Sequence, residues 1–364
     1  MGAIVSDWLE LLDRRFPPSW AEEWDNPGLQ VGDRSWPADR ALVALDPLPE
    51  VVGEAARRGC GILVTHHPLL FRPMASLDLA DPVSRAVASA LEGKVAVVAC
   101  HTNADVAQPG VSDSLAATVE VEVTGPLART DAGSRVKLVT FVPPEATAKV
   151  LDAVAGAGAG IIGEYTHCSF RVRGAGTFLP SERAHPAVGE RGELNEVEED
   201  RLEVVVPREH LEPAVEAMMA AHPYEEVAYD VYPLAGGGLG MGRVGRLPEP
   251  ATVAGFAASC GTRLHVEPRF AGDPEGEVRT VALCGGAGAS LIPRAIASGA
   301  DAYLTGDVKH HQALEAAGAG LAVIDAGHHG TEWPFVRDLA AGLQIAGVGE
   351  ALVSEISTDP FRRP

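Results

Sequence analysis

A chain of 364 residues, 46% of them hydrophobic and only 5% aromatic, is too long for one ordinary core, so two domains packed by Val, Leu and Ala are expected. The formal net charge of −21 excludes a broad electrostatic grip on nucleic acid, leaving only a local basic pocket open. No apolar run reaches the roughly 18 residues of a membrane span, and five cysteines without a CxxC support neither a disulfide framework nor a thiolate zinc knot.

The N-terminus lacks a basic stretch followed by an apolar one, so a cytoplasmic protein is expected. Met1-Gly2 with Ser6 matches only the short, weak myristoylation pattern. Apolar residues at helical spacing predict a helix over Val5 to Phe16, stopped by Pro17-Pro18. Ala41 to Leu45 reads as a short buried strand, Val51 to Arg58 as a helix, and Gly61 to Thr65 as a strand ending at His66-His67-Pro68. A helix over Pro82 to Leu91 starts with the proline that suits a first turn. The apolar strand Val95 to Cys100 then runs into His101 to Asp105. Strands alternating with helices predict an α/β domain with a mostly parallel sheet covered on both faces.

From about Gly125 to Leu234 the texture changes. Strands are expected at Val136 to Val142, Phe170 to Val172, Arg201 to Val206 and Val227 to Tyr232, with helices at Glu145 to Ala157 and Glu209 to His222. That β-α-β-β-α-β order is the ferredoxin-like α+β pattern. Gly236-Gly237-Gly238 reads as a hinge. The expected organisation is therefore one α/β domain, residues 1–124 and 236–364, interrupted by an inserted domain over 125–235. The last third repeats the first. It reads as a strand over Val281 to Cys284, the turn Gly285 to Gly288, a helix over Ser290 to Ser298, and a strand over Asp301 to Leu304. A helix over His311 to Ala317, a strand over Leu321 to Ile324, a helix from near Thr331 and a strand over Val348 to Ser354 complete it. The Gly-rich turn could present backbone N–H groups to a phosphate or be a plain tight turn.

Three segments place ligand-type side chains directly after an apolar strand: Thr65-His66-His67-Pro68, His101 to Asp105, and Asp325 to Glu332. In open parallel sheets ligands bind beyond the carboxyl ends of the strands, so these segments would converge there. His328 and Glu332 are four apart and share one helix face if the helix starts after Gly327. Glu332 has two oxygens and could bridge two ions. Adjacent His66 and His67 could each serve a different ion if the backbone bends before Pro68, and Asp105 would add a hard oxygen. Taken singly each piece has a plain reading: a packing His pair, an ion pair on an exposed helix, a turn or cap aspartate. Their shared placement favours two divalent cations, and N/O donors without thiolate suit Zn²⁺, Fe²⁺ or Mn²⁺ alike.

Trp24-Asp25-Asn26-Pro27-Gly28-Leu29-Gln30-Val31-Gly32, Thr65 to Pro68, His101 to Asp105, Thr305-Gly306-Asp307 and Asp325 to Glu332 together resemble the NIF-three-like dinuclear-metal-centre family, whose members are also described as GTP cyclohydrolase I type 2 homologues. Gly163 to Phe170, Gly174 to Pro180 and His222-Pro223-Tyr224-Glu225-Glu226 resemble the inserted PII/CutA-like domain of longer bacterial members. The resemblance implies that His66, His67, Asp105, His328 and Glu332 are the ligands of a dinuclear site, with Glu332 as the bridge. His101 and His311 fall where the family has pocket residues and are candidates for proton transfer, or simply hydrogen-bonded structural histidines. His329 stands where many relatives have Tyr and could be a sixth ligand, a proton carrier or a bystander. A ring-shaped homohexamer is implied too.

Two readings of function follow. One is metal-dependent hydrolysis of a purine nucleotide such as GTP or a related small molecule, in a cyclohydrolase-like or phosphoesterase-like reaction. The other is a non-enzymatic metal-carrying or ligand-sensing hexamer, which rests on fold analogy.

Overall fold

The computed structural model describes residues 2–234 and 239–362, so the hinge expected at Gly236 to Gly238 lies outside the described residues. Helix α1 (Val5–Arg15) buries Val5, Trp8, Leu9 and Leu12, the stripe that its sequence spacing predicts. There follow β1 (Gly28–Val31), β2 (Arg40–Ala44), α2 (Pro49–Arg57), β3 (Ile62–Thr65), α3 (Pro82–Gly93) and β4 (Ala96–Ala99). Then come α4 (Thr102–Val106), α5 (Val111–Thr118) and β5 (Glu122–Arg129). The middle contributes β6 (Arg135–Val142), α6 (Thr147–Gly156), β7 (Ser169–Phe178), β8 (Asn195–Pro207), α7 (Leu211–Ala221) and β9 (Tyr229–Pro233). Beyond it lie β10 (Gly240–Thr252), α8 (Val253–Leu264), β11 (Arg269–Ala271), β12 (Glu277–Leu283) and α9 (Ile292–Ala297). The chain ends with β13 (Ala302–Thr305), α10 (His310–Gly318), β14 (Ala322–Asp325), α11 (His328–Ala346) and β15 (Glu350–Val353). No helix among the described residues is long and apolar enough to cross a membrane.

The chain divides into two compact units, Met1–Thr130 with Leu239–Pro364, and Asp131–Gly238. Strand β5 runs across residue 124 and pairs with β10, so the outer unit continues to Thr130.

The outer unit holds two sheets rather than one. The five-stranded sheet has the order β1-β4-β3-β2-β15. All its pairs are parallel except β1 with β4 at the edge. Strands β3 and β4 are buried at every position, which is why they read as unbroken apolar runs. The six-stranded sheet has the order β11-β14-β13-β12-β10-β5. Only β12, β13 and β14 run parallel in it, with antiparallel strands on both sides. The repeated strand–helix grammar identified the parallel centres of both sheets but not that they are separate. The flanking strands carried no apolar run: β10 reads GMGRVGRLPEPAT and β11 is three residues long.

The middle unit has the sheet order β7-β8-β6-β9, antiparallel throughout, which is the ferredoxin-like arrangement. Helices α6 and α7 supply Val150, Val154, Ala214 and Met218 to a core with Leu138, Leu202 and Val204.

Candidate metal centre

Most residues of the site stand just beyond the carboxyl end of a parallel strand. Asp46 follows β2, His66 and His67 follow β3, and His101 follows β4. From the second sheet, Gly285 and Gly286 follow β12, Asp307 follows β13 and His328 follows β14. The crevice expected at one sheet's rim is therefore where two rims meet.

Adjacent strand residues point to opposite faces, yet both imidazoles of the pair turn inward, with ring centroids 4.9 Å apart. The Thr65 hydroxyl donates to the His67 carbonyl at 2.7 Å, curling the backbone where the strand ends. Helix α11 starts at His328, three residues before the expected Thr331, because Gly327 at φ 76° turns the chain directly into it. One turn then separates His328 from Glu332, and His328 Nε2 lies 3.1 Å from Glu332 Oε2. Gly286 is required beside them: a Cβ on it would stand 2.1 Å from Glu332 Oε1, and its φ is 65°.

The Glu332 carboxylate is the hub. His67 Nε2 is 3.2 Å from Oε2 and His66 Nε2 is 3.5 Å from Oε1. Asp105 Oδ1 is 3.7 Å from His66 Nε2 on the far side. Each imidazole is oriented through its other nitrogen. His66 Nδ1 donates to the Cys100 carbonyl at 2.8 Å, His67 Nδ1 to Asp46 at 2.7 Å and His328 Nδ1 to Asp307 at 2.7 Å. A carbonyl or carboxylate only accepts, so Nδ1 carries the hydrogen, and in the neutral ring each Nε2 lone pair faces inward, as in histidines that bind metals through Nε2.

Two buried atoms there, His66 Nε2 and Glu332 Oε2, have no hydrogen-bond partner among the described residues. His67 Nε2 and His328 Nε2 stand 3.3 Å apart, two lone pairs that repel unless a cation or proton lies between them. Unpaired inward donors around a buried carboxylate fit divalent cations. His67, His328 and Glu332 form one group of side chains close enough to hold an ion, and His66, His67 and His101 form another.

The ionisation of the cluster follows the same logic. Burial pushes the His67 imidazolium down, but Asp46 and Glu332 outweigh it and hold its pKa at about 10. The Glu332 carboxylate beside it, joined by Asp307 and opposed by burial, raises His328 to about 9. Burial would raise Glu332, yet the charge of His66 and the close approach of the His328 and His67 imidazoles hold it well below the usual carboxylate range. Asp105 is raised by desolvation. Protons and cations compete for the same lone pairs.

Of the other expected site residues, His101 joins the cluster and His311 does not. The His101 ring lies 5.3 Å from His66 and 5.7 Å from His67, and its Nδ1 donates to Asp25 at 2.8 Å. His311 is exposed on the first turn of α10, and among the described residues its ring contact is with His310. His329 stacks on Trp333, ring planes 14° apart, and burial lowers its pKa. The turn at Gly285 to Gly288 is not free to cradle a phosphate. Its Gly285, Gly286 and Gly288 N–H groups donate to Ser112, Thr331 and Thr305 at 3.4, 2.9 and 3.0 Å.

Sequence reasoning gave the three orienting carboxylates no role: Asp25 and Asp307 stood only within the motifs of the resemblance, and Asp46 was not singled out. Asp46 follows β2 as His66 follows β3, so the strand-end rule could have found it. Thr358, whose hydroxyl bonds Asp46, carried no such signal.

A model of the family described as Duf34/NIF3 (NGG1p interacting factor 3) matches residues 3–360. The chain is 39% identical over 371 residues to the GTP cyclohydrolase 1 type 2 homolog of Mycobacterium leprae, covering 99% of this chain and 96% of that one. It is also 39% identical over 360 residues to the protein of that description from Bacillus subtilis, covering 97% and 96%. Among solved structures, a Bacillus cereus protein related to NIF3 is 37% identical with a TM-score of 0.75, covering 99% of both chains. Staphylococcus aureus protein SA1388 is 28% identical with a TM-score of 0.80, covering 100% of this chain and 99% of that one.

Proposed function

The chain belongs to the Duf34/NIF3 family, and from that membership and the cluster at Glu332 we propose that it is a metal-dependent hydrolase that holds two divalent cations and acts on a nucleotide. The observation that carries this reading is the convergence of three imidazole Nε2 atoms, at 3.5, 3.2 and 3.1 Å, on one buried carboxylate. His66, His67, Asp105, His328 and Glu332 would hold the cations, with Glu332 shared between them. Zn²⁺, Fe²⁺ and Mn²⁺ all suit the donors. When bound, such cations acidify water and polarise an electrophilic carbon or phosphorus.

The chain's own groups do the rest. Asp46, Asp307 and the Cys100 carbonyl lock the imidazoles in the tautomer that keeps Nε2 lone pairs inward. His101, fixed by Asp25, keeps Nε2 available to pass a proton to a leaving nitrogen or oxygen. His311, exposed and in contact with His310, has no part in this reading. The working form is a cytoplasmic homohexamer, for which the sedimentation mass of the purified chain is the check.

To test the activity, the full chain is loaded with Zn²⁺, Fe²⁺ or Mn²⁺ and incubated with GTP while products are followed by chromatography. Metal content is measured in parallel. Turnover that disappears in His67→Ala and Glu332→Ala, together with the bound metal, is the expected outcome. Two ions per chain with no turnover of GTP or other nucleotides would overturn the hydrolase reading and leave a metal-carrying protein.

A further inference from the structure

We propose that Trp24 and Phe71 form a stacking corner for a planar heteroaromatic ring, such as a purine base, at the mouth of the metal cluster; this names the substrate class of the hydrolase reading and rests on it. The two rings are 59% and 54% exposed, with centroids 5.8 Å apart and planes at 62°. Both stand edge-on to His101, at 6.0 and 6.4 Å. His101 in turn is 5.3 Å from His66. A flat ring laid on one aromatic face meets the other edge-first, the geometry that aromatic pairs prefer, and lies one imidazole away from the cluster.

What distinguishes this corner from scattered exposed apolar residues is the scaffold that holds it. Asp25, whose side chain is fully buried, accepts from His101 Nδ1 at 2.8 Å and from the Thr102 N–H and hydroxyl at 3.0 and 2.5 Å. That fixes Trp24 relative to His101. Asn26 Nδ2 donates to the Leu70 carbonyl at 3.1 Å, and Gln30 Oε1 accepts from the Leu70 N–H at 3.1 Å. Gln30 Nε2 closes the arrangement on the Asn26 carbonyl at 2.6 Å. That fixes Phe71, the next residue along. The polar positions of Trp24 to Gln30 thus serve to hold two large apolar rings in water beside the candidate metal cluster, open to a ligand's ring.

The test is calorimetry on the zinc-loaded full chain with GMP and ribose 5-phosphate, which share a phosphate and differ in the base. The expected result is at least about tenfold tighter binding of GMP, the value of one base stacked on aromatic side chains. Trp24→Ala and Phe71→Ala should each bring GMP to the level of ribose 5-phosphate, while zinc content and ribose 5-phosphate binding stay as in the parent. Trp24→Phe should restore most of the preference. No preference for GMP in the parent, or one that survives both alanine variants, overturns the proposal. So does a fall in the sedimentation mass of those variants, which would make the corner a contact between copies. A base preference without any turnover of GTP or other nucleotides would sink the hydrolase reading and leave the corner standing.

Discussion

At the scale of single residues, this protein repeatedly fixes an imidazole by occupying one nitrogen and reserving the other. At the candidate metal cluster Nδ1 donates and Nε2 faces the other ligand-type side chains. In the middle unit His222 shows the reverse economy, with both nitrogens engaged. Its Nε2 donates to the Phe141 carbonyl at 3.0 Å, and its Nδ1 accepts the Tyr224 N–H at 3.1 Å. The ring is neutral by construction, and burial lowers its pKa. Below the ordinary histidine value of about 6.5 the unfolded chain binds a proton that folded His222 refuses, so stability falls as pH drops through that value and is independent of this group above it. Melting temperatures at pH 5 and pH 8 should therefore differ less in His222→Gln, which can keep the Nε2-type donor and the acceptor without titrating. An unchanged pH dependence in that variant would assign it to other groups. The histidines that cluster were named from the sequence because they directly follow apolar strands, whereas His311, also named, lies exposed and apart from them. The roles of the orienting aspartates were not legible, because an aspartate after a strand looks the same whether it caps a turn or holds an imidazole.

At the scale of elements, the parallel strands announce themselves and the antiparallel ones do not. Strands buried on both faces need apolar residues at every position, as in the Ala96 to Ala99 run of β4. Strand β10 is held instead by a buried cation. Arg243, 1% exposed, bonds Asp113 at 2.8 and 2.6 Å, the Gly240 and Gly242 carbonyls at 2.7 and 2.8 Å, and the Ala107 carbonyl. Asp113 also accepts the Gly110 N–H at 2.8 Å, where α5 begins. One guanidinium thus ties β10 to the link between α4, which carries Asp105, and α5. Nothing in the local pattern around Arg243 reveals this, since its partners lie 130 and 136 residues away. Arg243→Ala leaves a carboxylate and three carbonyls without their donor and should cost about 3–5 kcal/mol, measured by urea denaturation. A loss under about 1 kcal/mol would show that water replaces the side chain.

At the scale of the whole molecule, the outer unit is assembled from both ends of the chain, and its last residues reach the site. Strand β15 pairs in parallel with β2, and the segment after it is tied down in turn. Ser354 donates to Glu54 at 2.6 Å, and the Glu355 N–H donates to the same carboxylate at 3.0 Å. The Thr358 hydroxyl then binds Asp46, whose other oxygen accepts from His67 Nδ1. Thr358→Val should weaken metal binding by up to about tenfold, and Asp46→Ala by about 10–100-fold, the range for groups that orient a ligating histidine. Chelator competition reads both, and Thr358→Ser should behave as the parent. Equal affinities in all of them would mean that the terminal segment only fastens the sheet. The change of texture after Gly125 led to the expectation of an inserted domain, whereas the separation of the outer unit into two sheets required knowing which strand edges meet. One consequence concerns birth rather than function. His66 and His67 emerge from the ribosome well before His328 and Glu332, with the entire middle unit synthesised in between. The group of His67, His328 and Glu332 is therefore incomplete until the middle unit has been synthesised, and a cation held by all three would be bound only after segments from either side of that unit have met.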